Sequence, residues 1–309
     1  MKKVVVTGGA GFIGSHLAEE MVQRDYHVVI IDNLSTGKVA NIDSILKSGK
    51  AELLQSSITD LPLLRSVFRG AEYVFHQAAI PSVLRSVEHP LDSHEANVTG
   101  TLNVLLAARD AGVKKVVCAS SSAVYGDAPG LPKTEDMTPC PQSPYAVTKL
   151  AGEYYCKVFS EGYGMPTACL RYFNVYGPRQ DPNSQYAAVI PKFMSQISEG
   201  KPPVIFGDGE QSRDFVFVGD VVAANILAAE SEAVGSFNIG SGERITINKL
   251  VSLLIKILGQ DIEPAYRPPR PGDIKHSVAD ISKSKSFGYL PHHSLEEGLR
   301  QTVKARLAA

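Results

Sequence analysis

The chain has 309 residues, enough for one large or two medium domains with a substantial core. With 44% apolar and 20% charged residues it lies near average globular usage, which excludes collagen-like, disordered, coiled-coil and small disulfide-scaffold classes. Lys and Arg (31) against Asp and Glu (32) leave a formal charge of −1, so no broad positive field draws nucleic acid or an anionic membrane, and an anionic ligand has to be held by local geometry.

Met1-Lys2-Lys3 runs into only three valines before Thr7, too short a stretch for a signal-peptide core, and no apolar run approaches membrane-spanning length; a soluble, cytoplasmic protein is expected. Short β-branched or apolar runs then recur: Val4-Val5-Val6, Val28-Val29-Ile30-Ile31, Glu52-Leu53-Leu54, Tyr73-Val74-Phe75 and Val116-Val117-Cys118. Each is separated from the next by helical apolar spacing, which predicts an α/β fold, a doubly wound parallel sheet covered on both faces. A long helix is predicted over 90–111, with Leu91, His94, Asn97, Leu102, Leu105 and Leu106 at helical intervals and Gly112 as its cap. A second is predicted over about 144–162, and one more strand over 167–171.

Beyond that point the alternation loosens into loops rich in Pro and Gly, at Gly177-Pro178, Pro182-Asn183, Lys201-Pro202-Pro203 and 268–272. Short strands at Val204-Ile205-Phe206 and Phe215-Val216-Phe217, with amphipathic helices over 246–258 and 294–307, read as a smaller carboxyl-terminal α/β domain covering the sheet edge. The division expected is 1–172 plus 212–240 for the sheet domain and 173–211 plus 241–309 for the smaller one. The four cysteines, Cys118, Cys140, Cys156 and Cys169, form no Cys-x-x-Cys pair and read as reduced thiols, and the eight histidines show no ligand spacing, so no metal is expected.

The first functional pattern is Gly8-x-x-Gly11-x-x-Gly14, directly after the strand Val4-Val5-Val6 and opening a helix. Glycine there permits a tight turn, close approach of backbone to a pyrophosphate and close helix–strand packing, while the helix amino terminus supplies the anion site. Asp32, at the next strand end, can accept hydrogen bonds from ribose hydroxyls and repel a 2′-phosphate, which points to NAD rather than NADP. Asn33-Leu34-Ser35-Thr36-Gly37 is also a plausible turn that Asp32 would cap, and both roles can coexist.

Tyr145 and Lys149 stand at i and i+4 on the second long helix, so phenol and ammonium share a face. A tyrosine is a poor base at neutral pH, but a lysine and a positive nicotinamide ring would both favour the phenolate. Alone, the pair reads more readily as a core tyrosine beside a solvated lysine, and it needs a third member. Ser120-Ser121-Ser122 adds a third member at the carboxyl end of a sheet strand, where doubly wound folds bind ligands, although serine runs are more often turns.

Thr7 to Gly14, Asp32-Asn33-Leu34, His76-Gln77-Ala78-Ala79, Asn97-Val98-Thr99-Gly100-Thr101, Ser120 to Gly126, Ser143 to Lys149 and Arg171 to Pro178 together resemble the extended short-chain dehydrogenase/reductase family, and over nearly the whole length its nucleotide-sugar 4-epimerases. The resemblance implies a Rossmann domain holding NAD, a smaller nucleotide-sugar domain and a homodimer formed through the two long helices. It implies Ser121, Tyr145 and Lys149 as the catalytic triad. For the cofactor it implies Gly8, Gly11, Phe12, Ile13, Gly14, Asp32, Asn33, Ser35, Thr36, Gly37, Ser57, Ile58, Gln77, Ala78, Ala79, Asn97, Tyr145, Lys149 and Tyr172. For a UDP-sugar it implies Ser82, Arg85, Ser121, Ser122, Tyr145, Asn174, Gln180, Ala188, Val189, Arg213, Arg270, Asp273 and Ser277, the two arginines facing the diphosphate. Without the resemblance, Arg213-Asp214 and Arg270 with Asp273 read as ordinary surface ion pairs.

Sugar dehydratases and uronate decarboxylases of the family resemble an acid after the catalytic hydroxyl, whereas Ser122-Ala123 follows Ser121 here. The expectation is therefore reversible C4 oxidation with NAD recycled in place. Ser277 falls where glucose-restricted relatives resemble a bulky Tyr, and Arg179 to Asn183 with Tyr186 to Pro191 resembles the N-acetylhexosamine branch, so interconversion of UDP-GlcNAc and UDP-GalNAc is favoured. UDP-glucose and UDP-galactose turnover can coexist with it. A UDP-glucose or UDP-glucuronate 4-epimerase, a net oxidoreductase and a non-catalytic sensing module are the alternatives. Two departures from the family pattern stand out: Ser56-Ser57-Ile58 replaces a usual Asp, and Pro81 a lysine.

Overall fold

The computed structural model describes residues 1–181, 189–269 and 275–307. Ala188, Arg270 and Asp273 lie outside the described residues. Seven strands form one parallel sheet: β1 (Lys3–Thr7), β2 (His27–Asp32), β3 (Ala51–Gln55), β4 (Ala71–His76), β5 (Lys115–Ser121), β6 (Thr167–Tyr172) and β7 (Gly235–Ile239). Their spatial order is β7-β6-β5-β4-β1-β2-β3, so the chain reverses direction across the sheet beside β1 and leaves a crevice at the carboxyl ends of β1 and β4.

The apolar runs are continuous because both faces of the sheet are buried. Val4 and Val6 point to one face, with Leu17, Ala18 and Met21 of α1 (Phe12–Gln23) against them; Val5 points to the other, against Val104, Leu105 and Phe159. That second face is covered by the helix Leu61–Val67, α4 (Gly100–Asp110) and α5 (Pro144–Tyr163), the last capped by Ser143 at its start and by left-handed Gly164 at its end, while α2 (Val83–Glu88) and α3 (Pro90–His94) pack on α5.

The long helix predicted over 90–111 is not one regular α-helix. It widens into a π-helical turn over Glu95–Thr99, between α3 and α4. The widened turn carries buried Asn97, whose amide both accepts from Ile80 N (2.8 Å) and donates to Ile80 O (3.2 Å). Directly after it, a Cβ at Gly100 would lie 2.4 Å from the end of the Ile58 side chain, which would have to move to admit a larger residue.

Helix α6 (Val218–Glu230) and strand β7 were not anticipated from the sequence; α6 packs beside α1 and β7 closes the sheet against β6. A separate apolar cluster joins the helices Val189–Ser198, Ile247–Leu258 and Leu295–Leu307 around Phe193, Leu250, Leu254 and Leu299. Three short strand pairs border it: Asn174–Tyr176 with Phe215–Phe217, Ser212–Arg213 with Ile245–Thr246, and Val204–Phe206 with Ala265–Arg267.

Candidate active site

At the crevice, β1 turns through Gly8, whose φ of +68° suits glycine and whose added Cβ would lie 2.6 Å from Ala78 N. A Cβ at Gly14 would lie 2.1 Å from Gly8 O, so α1 rests directly on the turn. Gly11 is the N-cap of α1 and the first helical turn carries no acid, which leaves its amide dipoles free for an anion.

This cradle opens a cleft of about 390 Å³ lined by Gly8, Gly11, Phe12, Ile13 and Gly14, then Asp32, Asn33, Ser35 and Thr36, then Ser56, Ser57 and Ile58. Gln77, Ala78, Ala79, Ile80, Pro81 and Arg85 continue the wall, and Ala119, Ser120, Tyr145, Lys149 and Tyr172 form its far end. A glycine cradle at one end, a carboxylate at the second strand and a Tyr-Lys pair at the other end are the groups a dinucleotide's pyrophosphate, ribose and nicotinamide would meet, so the residues present fit NAD.

Asp32 is buried and bridges two loops, its carboxylate accepting from Ala10 N at 3.0 Å and from Leu34 N at 2.8 Å. The turn-capping role is thus present, and each oxygen retains a lone pair toward the cleft. Gly37 touches this carboxylate rather than the cleft, its added Cβ falling 2.8 Å from both oxygens. Asn97 also stays outside the cleft: its amide is spent on Ile80 and on Thr148 Oγ1 (3.1 Å). Gln77 and Tyr172 meet at 3.2 Å and share Asn225 of α6, a residue sequence reasoning missed because its partners lie 53 and 148 positions away.

At the far end Tyr145 and Lys149 share a face of α5, as their spacing required. The Lys149 ammonium donates to Ala119 O at 2.9 Å and stands 5.9 Å from the centre of the Tyr145 ring. Ser121 accepts from Ala123 N at 3.1 Å, and its hydroxyl acts on the Tyr145 phenol in the sense that favours ionisation. Burial pushes the phenol above its ordinary pKa of 10, with the Ser121 hydroxyl pulling the other way, while burial pushes Lys149 down to about 8. The lysine-supported phenolate that the sequence suggested is therefore not the resting form of the protein alone: Tyr145 rests as a phenol.

A buried polar chain ties this end to the glycine turn. Ala78 N donates to Thr7 Oγ1, which meets His76 Nδ1 at 2.7 Å; His76 Nε2 meets Thr101 Oγ1 at 2.9 Å, and Thr101 donates to Asn97 O. Asn97 then bonds Thr148, which donates to Tyr145 O at 2.7 Å. Because Thr101 spends its proton on Asn97, His76 carries its hydrogen on Nε2, and burial followed by the Lys149 charge lowers it to about 3. His76, Thr101 and Thr148 were not singled out for such a role from the sequence.

The residues expected around the sugar nucleotide are more dispersed. Ser82 caps α2 by accepting from Arg85 N, and Arg85 reaches the cleft. Ser122 begins the helical turn after Ser121, and Asn174 is exposed at the head of its strand. Gln180 donates to Val175 O, with its buried Oε1 lacking a partner among the described residues, and Val189 opens its helix. Arg213 and Ser277 are brought together: Ser277 N donates to Ser212 O at 3.1 Å while Arg213 donates to Lys275 O. Among the described residues no cluster of three His, Cys, Asp or Glu could hold a metal, and no helix is long and apolar enough to cross a membrane.

The model of the NAD dependent epimerase/dehydratase family matches residues 4–240, and the chain belongs to that family. It is 42% identical over 304 residues to a putative UDP-glucose 4-epimerase of Methanocaldococcus jannaschii, covering 97% of each chain. The structure of a UDP-N-acetylglucosamine 4-epimerase from Methanobrevibacter ruminantium, in complex with UDP-N-acetylmuramic acid, superposes with a TM-score of 0.96 at 46% identity, covering 99% of this chain and 98% of that one. A Thermus thermophilus UDP-glucose 4-epimerase in complex with NAD superposes at 0.89 with 39% identity, covering 99% of both chains. The cofactor of this enzyme is NAD.

Proposed function

We propose that this NAD-dependent UDP-sugar 4-epimerase interconverts UDP-GlcNAc and UDP-GalNAc, with UDP-glucose and UDP-galactose as secondary substrates. The observation that carries the reading is the pairing of Tyr145 and Lys149 at the end of a cleft whose other end is the glycine cradle, with Ser121 at the end of β5 beside the Tyr145 phenol. Gly8 to Gly14, Asp32, Gln77 and Tyr172 would hold NAD, which when bound accepts hydride from the sugar C4 and returns it to the opposite face of the ring.

With NAD bound, the Tyr145 phenol would lose its proton to solvent, favoured by the positive nicotinamide ring and the Lys149 ammonium; the phenolate then takes the proton of the sugar 4-hydroxyl as hydride leaves and gives it back on return, acting first as base and then as acid. The positive end of α5, at whose first turn Tyr145 stands, favours the phenolate at that moment. Ser121 donates to the same sugar oxygen, and Lys149, largely protonated below its pKa of about 8, adds positive charge beside the phenolate. The 4-keto sugar must turn over within the site before hydride returns. Residues 1–172 plus 212–240 are assigned to the cofactor, and 173–211 plus 241–309 to the nucleotide sugar.

For the sugar, the small side chain of Ser277, where glucose-restricted relatives resemble a bulky Tyr, would leave room for a 2-acetamido group, and a smaller hexose would lose only contact, not fit, in such space. The test is Ser277→Tyr: turnover of UDP-GlcNAc should be abolished while UDP-glucose is still converted. Retained UDP-GlcNAc turnover in that variant would refute the specificity assignment. The exposed apolar side chains Leu84, Val87 and Leu91 of α2 and α3 and Val147, Tyr154 and Val158 of α5 support a homodimer built on this face.

A further inference from the structure

The end of β5 and one face of α5 are joined residue by residue. Tyr145, Lys149 and Glu153 follow one another at four-residue spacing on α5, and opposite them stand Ala119, Ser120 and Ser121. Ser121 stands beside the Tyr145 phenol and acts on its ionisation, Lys149 donates to Ala119 O, and Ser120 Oγ donates to Glu153 Oε1 at 2.5 Å. Two of these three links belong to groups already assigned to the chemistry; the third does not.

Glu153 is itself clamped. Arg171 of β6 binds it through two parallel bonds, Nε to Oε1 at 2.9 Å and Nη2 to Oε2 at 2.7 Å, and Ser236 of β7 donates to Oε2 at 3.0 Å. Arg171 is the sheet partner of Ser120 and also donates to the Tyr125 hydroxyl at 2.9 Å. Both charged side chains are almost fully buried, at 5% and 6% exposure. Apolar residues of similar volume would stabilise such a position as well or better, so a buried ion pair fits a role in fixing geometry. The bond from Ser120 ties Glu153 to β5, while those from Arg171 and Ser236 tie it to β6 and β7, so α5 is fixed against the sheet at this point.

We propose that Glu153, clamped by Arg171 and acting through Ser120, is a positioning residue for the epimerase reaction: it sets α5 along the end of β5 and thereby the placement of Tyr145 and Lys149 against Ser121. The inference rests on the assignment of those three residues to the chemistry, and it extends that assignment to a group that never meets the substrate.

Ser120→Ala tests it with the least disturbance, because it cuts the link to Glu153 and leaves the ion pair intact; Ser120→Thr keeps the hydroxyl. Steady-state kinetics on the UDP-sugar, bound NAD content and the unfolding midpoint are measured for both, beside Glu153→Gln and Tyr145→Phe. We expect Ser120→Ala to keep its NAD, its midpoint and its KM while kcat falls roughly tenfold, less than the ~10²-fold that a full 1 Å misplacement costs, and Ser120→Thr to recover kcat. If Glu153→Gln folds, its kcat should fall in the same way; if it does not fold, the serine variants decide. A Ser120→Ala kcat within about twofold of wild type, or a loss that follows NAD content or midpoint and is not recovered by Ser120→Thr, would overturn the proposal. An active Tyr145→Phe would instead overturn the catalytic assignment and the inference with it.

Discussion

Lys149 gives its hydrogen bond to the carbonyl oxygen of Ala119, not to the phenol of Tyr145, whose ring centre lies 5.9 Å from its ammonium. The lysine therefore works as a nearby charge held in place by β5. Its pKa falls from 10.5 to about 8 on burial, so between these values the unfolded chain binds the proton and the folded protein does not. Wild-type stability should accordingly rise relative to Lys149→Met as pH climbs from about 8 to 10.5, since burying the charge is costly below that window and costs nothing above it. Denaturant unfolding of both proteins at pH 7 and pH 10 checks this. A stability difference that does not change with pH would mean that Lys149 is not desolvated as described.

His76 should show acid sensitivity of a related kind. Its pKa drops from 6.5 to about 3 in the fold, so stability present above pH 6.5 is lost as pH falls toward 3, where the unfolded chain alone takes up the proton. His76→Leu should cost about 2 kcal/mol at pH 7, by leaving the Thr7 and Thr101 hydroxyls short of a partner. Its deficit should narrow between pH 6.5 and 4.5, because the variant has nothing to titrate there. Urea midpoints at the two pH values decide; a deficit that widens on acidification would contradict the neutral, doubly bonded histidine.

The glycine turn gives a prediction with an internal control. Gly8→Ala places a Cβ 2.6 Å from Ala78 N at φ +68°, so the turn must open, and the purified variant should carry little NAD, measured by absorbance after release from denatured protein. Gly49→Ala has a similar φ of +73° but nothing within 4 Å, and should keep its NAD at a cost of about 1 kcal/mol from the left-handed backbone alone. Equal NAD content in the two variants would show that the cradle does not set cofactor binding.

Most of the sheet could be read from the sequence because strands buried on both faces need long apolar runs, as β1, β2 and β5 have, while edge strand β3 keeps only Leu53 and Leu54. Strand β7 could not: Ser236 and Asn238 spend their side chains on Glu153, Lys133 and Asp280, so its run reads as polar. The π-helical turn was hidden because one widened turn barely disturbs helical spacing over 90–111. The glycine cradle, Asp32, Tyr145 and Lys149 announce themselves through local spacing. The polar chain through His76, Thr101 and Thr148 does not, since each link joins residues brought together only by the folded sheet. Glu153 lay in plain view four residues past Lys149, but its meaning depends on Arg171, eighteen positions on in a different strand.

The apolar face on α2, α3 and α5 should close in solution. Leu91 is 81% exposed and Val158 55% exposed, and the double variant Leu91→Glu with Val158→Glu should be monomeric by light scattering where the wild type is a dimer. A monomeric wild type at micromolar concentration would remove the homodimer from this reading.

The central claim is that one enzyme-held NAD serves both halves of the reaction while Tyr145 moves the proton. Purified protein incubated with UDP-GlcNAc, with products resolved by anion-exchange chromatography and NADH followed by absorbance, tests it directly. We expect UDP-GalNAc to form without accumulating NADH, and Tyr145→Phe to lower the rate by about 10²–10⁴-fold while the protein stays folded. NADH accumulating in step with product, or a Tyr145→Phe variant as fast as wild type, would contradict it.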